Sequence, residues 1–441
     1  VGRVSEWAEH RIADFVGVSG EGTTSLAAAW YWAGPLARGI GPLSKDLMSA
    51  DKSMLLDVLG GVIDDDADSP GDRQRAISLH LDEARLALAG QLPDTEVPAD
   101  YLASTALLGL AGPANVAWRA LRRILPIHHD VSDLGVWRAA ALIASGFRTL
   151  FNRQEVTYLL DGLRPDGHDA YWHGVLAYCR DGNLQAVVDE YLHQLVGSEG
   201  ITPTDDGKLL SLAQAMHRAL TLRGATYRAM DPTSPEGEGI KFFSRFALRY
   251  GGIKQEQDDM RLPEVRAAFN SPFWPFVLAT TSIGQEGVDF HWWCHGIVHW
   301  NLPSNPVDFE QREGRVNRFK GHAIRRNVAD KFGASVLSSP SVDPWAAVFR
   351  AAEESRSPGE TDMSPYWFFP GDAVVERAIL GFPMSRDQPT WQRLKDVLAL
   401  YRLAYGQPRQ EDMLDLLKRR GVTANDADSF RLRLSPPGWE P

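Results

Sequence analysis

Residues 279–322 contain an arginine-bearing helical pattern whose side chains are spaced to meet one ligand. Asn305 is suited to cap this helix and Pro306 to begin it, so the pattern predicts a helix from Pro306 to Phe319, with Gly321 as its stop signal. Four residues recur at i, i+3, i+4 and i+7 and therefore share one helix face: Gln311, Gly314, Arg315 and Arg318. Two guanidinium groups beside a glycine predict a phosphate ligand.

Two short apolar segments precede this helix. Residues 276–280 and 296–300 are predicted strands, and residues 282–287 form a tight loop that leaves the end of the first strand. In α/β proteins, ligands bind beyond the carboxyl ends of such strands. Several arginines on one helix face are usually solvated or ion-paired, but their register with this strand and loop favours a nucleotide site.

This segment resembles motifs V and VI in the C-terminal lobe of superfamily 2 helicases, most nearly those of the Swi/Snf and RapA-type ATP-dependent translocases. The residues that match motif V are Thr281, Gly287 and Asp289. Those that match the motif VI pattern Q-x-x-G-R-x-x-R are Gln311, Gly314, Arg315 and Arg318. The NLPSNP segment, residues 301–306, also resembles the sequence before motif VI in these translocases. The clear resemblance covers about residues 240–330.

The resemblance implies a cleft that binds ATP and Mg²⁺ between two lobes, with nucleic acid crossing both. It assigns catalytic roles to Arg315 and Arg318, which stabilise charge on the transferred phosphoryl group, and to Gln311, which holds the nucleotide or the attacking water. The implied nucleotide-binding residues are Gly287, Asp289 and Gly314, with Asp289 directed toward the ribose. The implied nucleic-acid-binding residues are Thr281, Ser282 and Gly284. DNA is favoured over RNA as the partner.

The first lobe of such a motor needs a phosphate-binding G-x-x-x-x-G-K-[ST] loop and an acidic pair for Mg²⁺. Residues 17–24, GVSGEGTT, have the two glycines, but Thr23 stands where the lysine is needed. Asp82 and Glu83 lie in an amphipathic helical pattern rather than at a strand end. We therefore expect an N-terminal helicase lobe in cis or in trans. Because the chain begins with Val1, we expect that lobe upstream, and we expect the isolated chain to be inactive.

Composition limits where nucleic acid can bind. The formal net charge of −11 excludes a broadly basic surface, so contact must be local. A basic run supplies such a place within residues 311–331, where only Glu313 and Asp330 are acidic. Its seven cations are Arg312, Arg315, Arg318, Lys320, Arg325, Arg326 and Lys331. Some are expected to bind phosphates of ATP and others phosphates of a strand, although a solvated face explains Arg325, Arg326 and Lys331 equally well.

The chain has the pattern of a cytoplasmic protein. It contains no apolar run long enough to span a membrane, and Cys179 and Cys294 are too far apart to indicate a disulfide framework. The spacing of His291, Cys294, His295 and His299 is compatible with zinc. We nevertheless predict no metal site there, because His299 belongs to a predicted buried strand and the others to a loop.

The predicted fold class is α/β, with a RecA-like helicase C-terminal lobe between mainly helical regions. Residues 1–200 show helical periodicity, residues 201–337 contain the lobe, and residues 338–441 form a helical extension that packs back on it. Further strands are predicted at 225–230 and 241–250, and a crossover helix at 262–269. The lobe then has the order strand, helix, strand, strand, helix.

Two functions remain open from the sequence. The first is the second motor lobe of a nucleic-acid-dependent ATPase that translocates along or remodels nucleic acid. The second is a helicase-like scaffold that no longer hydrolyses ATP and serves as a docking surface. Retention of the motif V and VI residues, which an inactive lobe is free to lose, favours the motor.

Overall fold

The computed structural model describes residues 30–38, 42–49, 51, 78, 81–91, 96–163, 171–222, 225–229, 240–244, 247–248, 264–280, 289–337, 343–357, 363–381, 384–403, 410–423 and 426. The chain divides into two compact units. The first comprises Val1–Arg245, Pro263–Ala268 and Pro272–Phe276. The second comprises Phe246–Leu262, Phe269–Ser271 and Val277–Pro441.

The first unit is built mainly from helices, as the periodicity of residues 1–200 predicts. Its helices are α1 (Trp30–Arg38), α2 (Pro42–Ser49), α3 (Tyr101–Ala111), α4 (Pro113–Arg123), α5 (Asp133–Phe151), α6 (Gln154–Leu163), α7 (Tyr171–Asp181), α8 (Leu184–Glu199) and α9 (Asp206–Leu220). Residues 81–88 are also helical, and they include Asp82 and Glu83. These two acids therefore lie within a helix rather than at a strand end.

Helix α5 lies at the centre of this unit, in contact with α4 and α9. The buried residues of α9 recur every three or four positions, at Leu209, Leu212, Met216 and Leu220, so one face of the helix enters the core. Each fully buried side chain of this size stabilises the fold by about 1.5–3 kcal/mol. Packing of these faces therefore accounts for most of the stability of the first unit.

Hydrogen bonds between Ser132 and Asp206 join the starts of α5 and α9. Ser132 Oγ accepts a hydrogen bond from the Gly135 N–H at 2.9 Å. The same hydroxyl donates to Asp206 at 2.7 Å, and the Ser132 N–H donates to Asp206 at 2.8 Å. A carboxylate in the first turn of α9 also favours the positive helix end. One acidic side chain thus holds two helix N-termini together.

Gly146 lies where α5 packs closely against α9. A Cβ at this position would lie 2.9 Å from Leu220 Cδ1 and 3.1 Å from Leu220 Cβ. We expect Gly146→Ala to destabilise the chain by about 1–3 kcal/mol through overpacking. The matched control is Gly197→Ala in α8, where nothing lies within 4 Å, and which should stabilise by about 0.5–1 kcal/mol. Urea unfolding of both variants measures the difference, and equal effects would contradict tight packing at Gly146.

A hairpin of two antiparallel strands follows α9. Strands β1 (Ala225–Ala229) and β2 (Ile240–Ser244) pair with Tyr227 opposite Phe242. The predicted strand at 225–230 is therefore present, and the predicted strand at 241–250 begins as β2. Both strands and α9 group with the first unit, whereas the sequence assigned them to the lobe that begins at residue 201.

The second unit contains two parallel strand pairs. β3 (Ala247–Leu248) pairs with β4 (Ala279–Thr280), and β5 (Gly296–His299) pairs with β6 (Glu376–Ile379). Residues 264–269 are helical, so the order along the chain from β3 to β5 is the predicted strand, helix, strand, strand, but Pro263–Ala268 groups with the first unit. Strand β6 lies in the stretch predicted to be a helical extension. Among the described residues each of these sheets has two strands, so the RecA-like sheet stays a prediction.

Helices complete the second unit: α10 (Pro306–Glu313), α11 (His322–Leu337), α12 (Pro344–Glu354), α13 (Asp387–Leu403) and α14 (Gln410–Arg419). Helices α11 and α12 share a core that includes Ile324, Val328 and Phe349. Phe309 of α10 is buried against Leu394 and Leu398 of α13. Part of the predicted helical extension therefore packs against α10.

Candidate nucleotide site

Helix α10 begins as the sequence predicts but ends earlier. Asn305 Oδ1 accepts a hydrogen bond from the Val307 N–H at 2.8 Å, and Pro306 occupies the first turn. The helix ends at Glu313 and not at Phe319, because the chain turns at Gly314. The predicted face at i, i+3, i+4 and i+7 is therefore wrong as a continuous helical surface.

A backbone contact from outside the helix holds the chain that follows this early end. The Arg315 carbonyl accepts a hydrogen bond from the Phe290 N–H at 2.9 Å, which takes it out of a helical bonding pattern. The side chains of Phe290 and Val316 are buried against each other. Glycine is also a weak helix former, so Gly314 gives little resistance to the turn. Packing of the segment at 289–290 thus fixes the conformation after α10.

The turn brings Arg318 to Asp289. The Arg318 guanidinium lies 2.8 Å from the Asp289 carboxylate, and its Nε–H donates to the Gly314 carbonyl at 2.9 Å. Asn270 Nδ2 donates to the Asp289 carbonyl at 2.7 Å, which holds the acidic residue in place. The side chains of Arg318 and Asp289 are 43% and 41% exposed. Three of the predicted site residues therefore meet at an accessible ion pair.

Arg315 and Gln311 lie in different environments from Arg318. Arg315 is only 9% exposed, whereas Gln311 is exposed on α10. The expectation that Arg315 and Arg318 flank one phosphate from either side requires two accessible guanidinium groups. Among the described arginines of motif VI, the accessible one is Arg318.

The remaining predicted site residues have no described position. Thr281, Ser282, Gly284 and Gly287 lie outside the described residues, as does the glycine-rich stretch at 17–24. Their roles in nucleic-acid and nucleotide binding stay predictions.

A partly buried network of charged side chains holds the end of α10. His299 Nε2 lies 3.2 Å from Glu313 Oε1, and Arg377 of β6 forms a bidentate pair with the same carboxylate. The Arg377 guanidinium lies 5.2 Å from the ring centroid of Phe309, which stacks on His299 at 4.6 Å. The network ties α10 to both β5 and β6 immediately before the turn that carries Arg318.

The charge of Glu313 is stabilised within this network. Burial raises the pKa of Glu313, but the hydrogen bonds from His299 and Arg377 outweigh that effect and hold the pKa below its usual value. Glu313 is therefore an anion near neutral pH. The sequence alone does not reveal this network, because His299 and Arg377 lie 14 and 64 residues from Glu313 along the chain.

The basic run after α10 is only partly free to bind phosphate. Arg325 is buried, and its guanidinium donates to the Trp292 carbonyl at 2.8 Å and the Lys320 carbonyl at 3.2 Å. Arg312 donates to the Asn301 carbonyl at 2.9 Å. Arg326 and Lys331 are exposed. The sequence left two roles open for Arg325, Arg326 and Lys331, which were exposure to solvent and contact with a nucleic-acid strand. Arg325 has neither role, because its guanidinium donates hydrogen bonds to the backbone.

The histidines near the site have different partners. His295 and His322 stack with their ring centroids 5.1 Å apart, whereas His299 faces Glu313. Within the part of the chain that the structure describes, no group of three or more His, Cys, Asp or Glu side chains is placed to hold a metal ion. The zinc-compatible spacing of these residues therefore does not bring them together there.

The stability of the second unit should depend on the protonation of His322. Burial lowers the pKa of His322 to about 4, with further lowering by Arg325, His295 and Arg326. An unfolded histidine binds its proton below about pH 6.5. The unfolded state therefore binds more protons between these two values, and the free energy of unfolding should fall as the pH decreases from about 6.5 to about 4.

His322→Asn should flatten this dependence, although His291, whose pKa burial also lowers, will leave part of it. Urea unfolding measured from pH 7 to pH 4 checks the slope. His128→Asn, at an exposed position, is the control and should retain the dependence of the unchanged protein. Identical slopes for the two variants would contradict a buried neutral imidazole at His322.

No protein-family model matches the chain, and neither a curated protein nor a solved structure matches it. No helix among the described residues is both long enough and apolar enough to cross a membrane.

Proposed function

We propose that this chain supplies the second motor lobe of a nucleic-acid-dependent ATPase. The observation that supports the proposal best is the ion pair between Asp289 and Arg318, held by the Gly314 carbonyl. These residues match motifs V and VI in the resemblance, and they are separated by 29 positions in the sequence. Their meeting at an accessible place is the geometry that a shared nucleotide site requires.

The pair has the chemistry to receive a nucleotide. Arg318 presents donors suited to phosphate oxygens, and an incoming phosphate competes with Asp289 for them. Asp289, once released, is an acceptor for the hydroxyls of a ribose. In this proposal Arg318 stabilises the charge that develops on the transferred phosphoryl group, while buried Arg315 supports the turn. Exposed Gln311 is free to contact the nucleotide or its water.

Residues for Mg²⁺ belong to the other lobe in this proposal. Asp289 is the acidic residue beside Arg318, and the described residues contain no cluster of acids suited to a metal ion. ATP and Mg²⁺ would therefore be held mainly by an N-terminal lobe in cis or in trans, and this chain would supply the arginine and the contacts to nucleic acid. DNA is the favoured track. A cytoplasmic location completes the proposal.

A second candidate is a docking subunit without ATP hydrolysis. The burial of Arg315 favours it, because this residue would have to move before it could touch a phosphate. The ion pair of Arg318 also gives that side chain a structural role that needs no nucleotide. The two functions differ in whether the assembled protein turns over ATP.

The test compares the 441-residue chain with an assembly that includes a first lobe. We expect no ATP hydrolysis by the chain alone and hydrolysis stimulated by nucleic acid in the assembly. Phosphate release measured with and without DNA or RNA separates these results. Hydrolysis by the chain alone would contradict the need for a first lobe. An assembly that binds ATP without hydrolysing it would favour the docking subunit.

A further inference from the structure

A stack of aromatic rings leads from the core of the second unit to its surface. The rings of Phe349 and Tyr366 lie 5.5 Å apart with planes at 5°, and those of Tyr366 and Phe319 lie 5.5 Å apart at 16°. Phe349 is buried, whereas Phe319 is 45% exposed. The outermost ring of the stack is therefore accessible and is supported by rings that the core holds fixed.

Two more aromatic side chains are exposed at the end of this stack. Trp367 lies 5.7 Å from Phe319 with its plane at 64°, and its neighbour Phe368 is exposed as well. Both belong to the MSPYWFFPGD segment, which begins at Met363. We call Phe319, Trp367 and Phe368 the aromatic corner. Exposed rings this close together are uncommon on a surface that has no ligand.

One lysine lies beside the ring stack. The Lys320 N–H donates to the Tyr366 carbonyl at 2.8 Å, and its ammonium lies 4.7 Å from the centroid of Phe349, 5.4 Å from that of Tyr366 and 5.5 Å from that of Phe319. Lys320 thus places positive charge beside the aromatic corner.

The nearby acid is already engaged. Glu353 accepts a hydrogen bond from the Tyr366 hydroxyl at 3.1 Å and lies 3.5 Å from Arg356. Its charge is therefore offset by a neighbouring cation. The ammonium of Lys320 favours a polyanion over an apolar peptide as the occupant.

We propose that the aromatic corner is a stacking site for the unpaired bases of a single nucleic-acid strand, with Lys320 next to its phosphates. Bases present their flat faces only when they are unpaired, so a duplex cannot use the site. The ring stack holds Phe319 before any ligand arrives, which reduces the entropy lost on binding. This site rests on the proposed function, which makes nucleic acid the partner. It adds that the strand is single and that its bases bind at the aromatic corner.

The test measures binding of a fluorescent single-stranded oligonucleotide and of the duplex of the same sequence by anisotropy, without ATP. We expect Trp367→Ala and Phe368→Ala each to raise the Kd for the single strand by about fivefold or more and to leave the duplex unchanged. Trp300→Ala is the matched control, because this residue of the same unit is 72% exposed and lies outside the aromatic corner. Its effect should stay below about twofold.

Thermal unfolding of each variant separates a loss of stacking from a loss of folding. Equal Kd values for Trp367→Ala and the unchanged protein would overturn the proposal, as would an equal loss of duplex binding. Displacement of the strand by ATP in the chain alone would overturn it too, since the corner would then take a nucleotide. The two readouts are separate, because stacking is measured on the chain without ATP and turnover is measured in the assembly. Single-strand binding that depends on the aromatic corner, without ATP turnover in the assembly, would contradict only the proposed function. ATP turnover in the assembly without such binding would contradict only this site.

Discussion

Arg318→Ala is expected to reduce nucleic-acid-stimulated ATP turnover by about 10³-fold or more in an assembly with a first lobe. The reason is that a guanidinium directed at a transferred phosphoryl group stabilises the transition state more than it stabilises bound ATP. The Kd for ATP should therefore change far less than kcat. Steady-state phosphate release gives kcat, and titration with a fluorescent ATP analogue gives the Kd.

Two further variants separate the role of Arg318 in the reaction from its role in the ion pair. Arg318→Lys retains the charge beside Asp289 but loses the planar fork, so turnover should remain low while the fold is preserved. Arg350→Ala on α12 removes an exposed arginine from the same unit and should leave turnover unchanged. Normal turnover in Arg318→Ala would favour the docking subunit over the motor.

The sequence predicts those features of the site that depend on nearby residues. The Asn305 cap, the Pro306 start and strand β5 all follow from local patterns, and the structure confirms each of them. The conformation of the chain after α10 depends instead on the Phe290 N–H, which comes from another segment. The helical spacing of the sequence predicts a helix to Phe319, because no residue nearby in the sequence indicates that hydrogen bond.

The charged network around Glu313 also depends on residues that are distant in the sequence, so local patterns do not predict it. The residue occupies an unspecified position of the motif VI pattern, and its partner Arg377 lies on a strand that the sequence analysis placed in a helical extension. Parallel pairing of β5 with β6 joins segments about 80 residues apart, so periodicity within either segment cannot reveal it. An acidic residue just before a predicted site glycine is, by itself, an ordinary surface position.

Glu313→Ala is expected to lower the free energy of unfolding of the second unit by about 2–4 kcal/mol at pH 7. The change leaves His299 and Arg377 without the carboxylate that both contact, and the His299 side chain is only 1% exposed. Glu310→Ala is the matched control, because Glu310 is three residues away on the same helix and pairs with the more exposed Arg402 at 2.7 Å. That exposed pair should contribute less than about 1 kcal/mol.

The pH dependence of the same variant identifies the charge as the source of the effect. Because the folded pKa of Glu313 is depressed, its contribution is present above the unfolded value of 4.5 and is lost as the pH falls through the folded value. The destabilisation by Glu313→Ala should therefore shrink below about pH 4.5, as urea unfolding across this range would measure.

The Glu313 carbonyl also accepts from the Val316 and Asn317 N–H groups, so the network and the turn share one residue. Loss of the carboxylate should consequently loosen the turn and reduce ATP turnover in the assembly, whereas Glu310→Ala should not. Equal stabilities for the two variants would show that the network does not hold the arginine turn in place.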